Sequence, residues 1–446
     1  MDLTIRPSTL SGEITIPPSK SHTIRALLIA TFAKGKSKIK NPLFSQDTYS
    51  CIEACKAFGG NIAIENDTIY VTGNGGIIPN RDITIDVGNS GTTLYLAIAM
   101  AALGTSPITF IGDNQIKKRS ALPLLKALES LGAKISSDNG CTPITVKGPL
   151  KGGCCSLFSP TSQYLSALLL ALPLSKNKCN IKVLELNEKP YVNMTIQWLS
   201  YQPVKIKQKG FSSFSIYPTS ISHYNPIDTT IAGDYSSASF FIVAGALVGT
   251  PLTIKGLQKK DSQGDKAIID ILKKMGANIK WVYSKTEELL VVAPPKSSFL
   301  RAIKIDLNNM PDALPILSVA AAFANGTTRI YNVAHARLKE TDRITCMAQE
   351  LSKVGVPIFQ RPDGLVIEGL SCSSNGISNL ELPIDPFAEA VTVKGHDDHR
   401  IIMALAIAAT AGNYPLLICG CEGAQITYPD FFDTLKNAGE ADKNEK

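Results

Sequence analysis

The sequence predicts an α/β protein of two domains, each assembled from three βαβαββ-like units whose apolar helices pack inward and whose strands lie outside. Two recurring patterns point there. A polar, cap-forming cluster followed by an almost wholly apolar helix and a short strand occurs six times along the 446 residues. After most copies comes a second pattern, a helix, a glycine and a strand hairpin. The copies stand roughly seventy to eighty-five residues apart, which makes them structural repeats rather than six small domains.

The first copy spans residues 17–35, PPSKSHTIRALLIATFAKG. Ser19 and Ser21 offer N-caps, and the apolar positions Ile24, Leu27, Leu28 and Ile29 predict a buried helix from Thr23 to Gly35. Lys20, Ser21 and Arg25 cluster at its start, where unpaired N–H groups and the helix dipole suit an anion with several oxygens. The same residues are also compatible with an ordinary capped helix carrying solvated cations.

The other copies repeat the design. Asn89-Ser90-Gly91-Thr92-Thr93 precedes LYLAIAMAALG, and Thr161-Ser162-Gln163 precedes YLSALLLALPL. Gly233-Asp234-Tyr235-Ser236-Ser237 precedes ASFFIVAGALVG, Pro311-Asp312 precedes ALPILSVAAAFANG, and Asp397-Asp398-His399-Arg400 precedes IIMALAIAATAG. The helix–glycine–hairpin pattern is read from IEACKAFGGNIAIENDTIYVTG, LLKALESLGAKI, IIDILKKMGANI with ELLVVA, and MAQELSKVGVPI with GLVIEG.

The chain ends decide the domain boundaries. Residues 2–6 and 13–16 read as a hairpin with no helices before it, whereas the last unit has both helices and no hairpin. The N-terminal hairpin is therefore expected to complete the sixth unit. That gives one domain of residues 1–18 plus 232–446 and another of 19–231, joined by two crossings that form a hinge. The tail EADKNEK is charged and expected to be disordered.

Composition narrows the function. A net charge of +7 is spread without a basic run, so small anionic substrates are expected and nucleic acid is not. The opening MDLTIRPS lacks the pattern of a signal peptide, and apolar stretches of about ten residues are too short to span a membrane. The ten cysteines form no CxxC, and Cys179, Cys346 and Cys419 lie in apolar contexts, which points to reduced thiols in a cytoplasmic protein. His396 and His399 frame two aspartates at a spacing that is not diagnostic of a metal. In RLKETDRI, residues 337–344, Lys339 and Arg343 are expected on one helical face with Glu340 one step round. With Asp312 at a helix start and His399-Arg400 opening the last unit, Asp312 and Glu340 are candidate acid–base carboxylates.

PSKSHTIRAL, GNSGTT, TSQYLSALLLALPL, GDYSSASFF, PDALPILSVAA, LKETDRI and DDHR, in this order and spacing, resemble the motifs of 5-enolpyruvylshikimate-3-phosphate (EPSP) synthases. The resemblance covers nearly the whole chain. It implies a two-domain inside-out α/β barrel and transfer of the enolpyruvyl group of phosphoenolpyruvate to the 5-hydroxyl of shikimate-3-phosphate. It further implies a glyphosate target, a monomer, and no metal or organic cofactor. By position, Lys20, Ser21, Arg25, Thr161, Ser162, Gln163, Asp312 and Lys339 would hold shikimate-3-phosphate. Lys20, Asn89, Gly91, Arg119, Gln163, Arg343 and Arg400 would hold phosphoenolpyruvate, the first domain mainly serving this ligand and residues 19–231 the other. Asp312 and Glu340 would move protons, assisted by Lys20.

The sister UDP-N-acetylglucosamine enolpyruvyl transferases begin with a Lys-Asn pair and usually carry a reactive loop Cys. Here Lys20 precedes Ser21, and residues 113–119 contain no Cys. Four positions depart from the EPSP synthase pattern. Tyr95 replaces a common Arg, and His335 stands where some members have Asn. Glu188 replaces a Ser near the substrate phosphate, which an acid should repel. Gln425-Ile426-Thr427-Tyr428-Pro429 lacks a lysine that contacts phosphoenolpyruvate. Alternatives are an enolpyruvyl transferase with another acceptor and a non-catalytic anion-binding relative.

Overall fold

Helices that are apolar all round have to be enclosed, and their enclosure sets the architecture. The structure, a computed structural model, describes every residue except 249, 285–286, 297–298, 370–388 and 441–446. The charged tail lies almost wholly outside the described residues. The chain divides into an inserted domain, Pro18–Ala232, and a bipartite domain, Met1–Pro17 with Gly233–Lys446.

The inserted domain contains α1 (Lys20–Thr31), α2 (Gln46–Ala57), α3 (Gly91–Ala101), α4 (Leu122–Ser130), α5 (Ser162–Ala171) and α6 (Lys189–Ser200). Every residue of α3 is buried, and α1 and α5 are buried along nearly their whole length. α1 begins earlier than the sequence suggests, because Ser19 accepts the His22 N–H at 3.4 Å and starts the helix at Lys20. Three four-stranded sheets cover these helices, and all share one order. Ile83–Asp86 runs parallel to Ile108–Ile111, which pairs antiparallel with Cys141–Lys147 and then Lys134–Asp138. Gly153–Ser159, Cys179–Leu186, Ser213–Tyr217 and Lys205–Lys209 repeat the order. In the third sheet the parallel strand is Asp228–Thr230, from the far end of the insertion, beside Lys36–Lys40. Thr68–Thr72 and Asn61–Glu65 finish it.

The bipartite domain follows the same plan with α7 (Tyr235–Leu247), α8 (Ile268–Met275), α9 (Leu314–Ala322), α10 (Arg343–Ser352), α11 (His399–Ala411) and α12 (Phe431–Glu440). α7, α9 and α11 are buried and pack on one another. Each domain has its own apolar core. The six-unit α/β reading is thus borne out. Within each domain the sheets remain separate hydrogen-bonded assemblies among the described residues rather than one closed barrel.

The N-terminal hairpin does not form. Leu3–Ile5 pairs antiparallel with Leu416–Cys419 in the last unit, while Gly12–Thr15 pairs parallel with Leu252–Lys255 in the fourth. The connection between them docks instead of turning back, with Ser8 N donating to Thr410 O at 3.1 Å and Ser11 N to Ala438 O at 3.0 Å. Gly12–Thr15 is the fourth strand of its sheet, and Leu3–Ile5 is the third strand of the last unit's sheet among the described residues. Among the described residues no helix is long and apolar enough to cross a membrane.

Candidate active site

In the inserted domain the candidate residues gather at the starts of the three apolar helices, each capped by its own polar cluster. Ser90 accepts the Thr93 N–H at 3.3 Å to open α3, and Thr161 accepts the Gln163 N–H at 3.4 Å to open α5. Gln163 Nε2 donates to Thr92 Oγ1 at 3.2 Å, which ties these two termini together. Lys20 Nζ stands 2.9 Å from Asp47 Oδ2, a largely buried pair linking α1 to α2. Arg119 Nη2 donates to Asn89 Oδ1 at 2.9 Å. Asn89 in turn donates to Asp113 Oδ2 at 2.8 Å and to Gln115. Gly91 leaves room for this arginine, since a Cβ there would come within 3.1 Å of Arg119 Nη1 and push its flexible end aside by a few tenths of an ångström.

Arg25 is buried without a carboxylate beside it among the described residues. Its Nε donates to Thr195 Oγ1 at 2.8 Å, Nη1 to Ser21 O at 2.9 Å and Nη2 to Tyr191 O at 3.3 Å. Burial pushes its pKa down to about 10, so it stays charged at neutral pH and favours any anion brought beside it. Thr161 and Ser162 are already engaged, both by the carboxylate of Glu188.

In the bipartite domain the site is a charge network. Arg343 donates to Asp312 Oδ1 at 2.7 Å, to Glu340 Oε2 at 2.5 Å and to Asp398 Oδ2 at 2.8 Å. Arg400 Nη2 reaches Asp312 Oδ2 at 3.0 Å, and Lys339 Nζ stands 3.7 Å from Asp312 Oδ1. Burial alone would lower the pKa of Arg343, but Asp398, Glu340 and Asp312 outweigh it and hold it above its ordinary value. Arg400 follows the same logic: Asp312, Asp265 and Asp234 overcome burial and the repulsion of Arg343. The starts of α7, α9, α10 and α11 therefore converge on two buried guanidinium groups.

RLKETDRI is not one helix. A 3₁₀ turn, Ala334–Leu338, ends before Lys339, whose backbone is extended, and α10 begins at Arg343 after Asp342 accepts the Thr345 N–H at 3.0 Å. Lys339 and Arg343 meet through Asp312, not through a shared helical face. Asp47, Thr195 and Asp398 escape the sequence reading as site residues. For Asp398 the signal was present, since it belongs to the DDHR cluster that also contains Arg400. Cys419, expected in an apolar interior, is only half-buried, whereas Cys179 and Cys346 are buried. His396 Nε2 donates to Glu350 Oε1 at 2.8 Å, and no metal-holding group of His, Cys, Asp and Glu occurs among the described residues.

Comparison with known proteins gives one consistent result. The model of the EPSP synthase (3-phosphoshikimate 1-carboxyvinyltransferase) family matches residues 5–435. A 3-phosphoshikimate 1-carboxyvinyltransferase of Ruminiclostridium cellulolyticum is 41% identical over 98% of this chain and 99% of its own length. That of Acetivibrio thermocellus is 41% identical over 98% of each chain. The solved EPSP synthase of Acinetobacter baumannii superposes with a TM-score of 0.79 at 25% identity, covering 98% of both chains. With helix starts, guanidinium groups and carboxylates assembled as above, the chain belongs to the EPSP synthase family, enzymes that transfer an enolpyruvyl group from phosphoenolpyruvate to shikimate-3-phosphate in the shikimate pathway.

Proposed function

We propose that the reaction is an addition–elimination in which Asp312 and Glu340 move the protons. The observation that carries this reading is the position of Asp312, a partly exposed carboxylate shared by Arg343, Arg400 and Lys339. The carboxylate and phosphate of phosphoenolpyruvate are natural competitors for those cations. Arrival of the ligand frees Asp312 to accept a proton from the 5-hydroxyl. Addition places a proton on C3 and forms the bond between the hydroxyl oxygen and C2. Elimination removes a proton from C3 and breaks the bond between C2 and the phosphate oxygen. Glu340, hydrogen-bonded to Arg343, serves the C3 proton, and Lys20 balances charge.

In this reading the bipartite domain holds phosphoenolpyruvate through Arg343 and Arg400, and the inserted domain adds Lys20, Asn89, Gly91, Arg119 and Gln163. Shikimate-3-phosphate is held mainly by the inserted domain through Lys20, Ser21, Arg25, Thr161, Ser162 and Gln163, with Lys339 and Asp312 completing its contacts. The enzyme acts as a monomer in the cytoplasm, for which the nine described unpaired thiols are suited.

The test is phosphate release with shikimate-3-phosphate against a panel of other acceptors, for the wild type, Asp312→Asn and Glu340→Gln. Each variant is expected to keep its fold and lose about 100-fold or more in kcat. Wild-type turnover in either variant removes that residue from the mechanism.

A further inference from the structure

The start of α5 aims three donors at one point. Ser162 N, Ser162 Oγ and Thr161 Oγ1 all donate to a single oxygen of Glu188, Oε2, at 3.0, 2.8 and 3.0 Å. Glu188 is 3% exposed. It precedes α6, yet its side chain does not cap that helix. Its backbone is left-handed, with φ 57° and ψ 40°, a region that side chains other than glycine, asparagine and aspartate rarely adopt. The chain thus maintains an unfavourable backbone conformation that delivers a buried carboxylate to the end of a neighbouring helix.

One oxyanion meeting three donors at a helix N-terminus is the geometry in which a bound phosphate or carboxylate is held. We propose that Glu188 is an internal anion: it occupies, in the absence of acceptor, the donors that receive the acceptor's phosphate, and it withdraws when the acceptor binds. The inference rests on the reading that Thr161 and Ser162 hold shikimate-3-phosphate. Acceptor binding then becomes an exchange of anions rather than a simple addition.

The exchange has a direction. A phosphate monoester brings more charge and more acceptor oxygens than a carboxylate. Arg25, without a carboxylate beside it among the described residues, touches the first turn of α6 at Tyr191 O and favours the more highly charged ligand. An acceptor lacking the phosphate has nothing with which to evict Glu188. The residue therefore weakens acceptor binding in general and rejects uncharged acceptors in particular.

The experiment measures steady-state kinetics of the full chain with shikimate-3-phosphate and phosphoenolpyruvate varied in turn, for Glu188→Ser, Glu188→Gln and Glu188→Ser combined with Ser162→Ala. Inorganic phosphate is added as a competitor. Circular dichroism checks the fold of each variant. Glu188→Ser is expected to lower KM for shikimate-3-phosphate and the inhibition constant for phosphate about tenfold or more. KM for phosphoenolpyruvate and kcat should stay within about twofold. Glu188→Gln, which keeps the shape and loses the charge, should fall between. An unchanged or higher KM for shikimate-3-phosphate in both single variants, with Ser162→Ala still raising it, overturns the role of Glu188 and leaves the placement of the acceptor standing. If Ser162→Ala changes nothing in the Glu188→Ser background, the placement itself is wrong and the inference goes with it.

Discussion

Arg343 Nε donates to Asp398 Oδ2 at 2.8 Å, and the two side chains are 1% and 0% exposed. Asp398 also accepts the Arg400 N–H at 2.9 Å and the Thr341 hydroxyl at 3.1 Å. One carboxylate therefore sets the side chain of Arg343 and the backbone that carries Arg400. Asp398→Asn keeps the size but leaves a buried guanidinium short of compensation. It is expected to cost about 3 kcal/mol or more of stability and to raise KM for phosphoenolpyruvate more than KM for shikimate-3-phosphate. Denaturant unfolding and steady-state kinetics decide it, and a variant as stable as wild type would show that Glu340 and Asp312 suffice.

Arg25 has three oxygen partners and no carboxylate beside it among the described residues. If Arg25 holds the acceptor as proposed, Arg25→Met removes one charge-assisted contact, which corresponds to roughly a 10- to 150-fold higher KM for shikimate-3-phosphate. The phosphoenolpyruvate constant should change far less. Equal effects on both constants would assign Arg25 to general folding rather than to acceptor binding.

Gly91→Ala places a methyl group 3.1 Å from Arg119 Nη1. The arginine end is flexible enough to move a few tenths of an ångström, so the protein should fold normally. That displacement pulls at the bond from Arg119 to Asn89 and should raise KM for phosphoenolpyruvate several-fold, with kcat little affected. A crystal structure of the variant with Arg119 unmoved would contradict the argument.

Ile426 is half-buried and ends the 3₁₀ turn Cys421–Ile426. If it takes the place of the lysine that family members present to phosphoenolpyruvate, Ile426→Lys adds a charge-assisted contact. The expected result is about a 10- to 150-fold lower KM for phosphoenolpyruvate, with the shikimate-3-phosphate constant nearly unchanged. An equal or higher phosphoenolpyruvate constant would show that Gln425 or another group already fills the position.

The local design of this protein is readable from its sequence. An apolar helix preceded by Ser19, Ser90, Thr161, Asp234 or Asp398 announces both its burial and its cap, because capping and helical periodicity act within a few residues. The repeated units follow from the same short-range signals. Pairing across the chain does not. Only the tertiary structure splits Leu3–Ile5 and Gly12–Thr15 between two sheets, since strand partnership depends on which sheet lacks a neighbour. Only the tertiary structure joins Lys20 to Asp47 and Arg343 to Asp398. The sequence marked Glu188 as an acid that should repel a phosphate, but the fold turned it onto Thr161 and Ser162, where its own carboxylate accepts their hydrogen bonds. A charged side chain's partner is set by the geometry of converging helix ends, and that geometry exists only once all the units have packed.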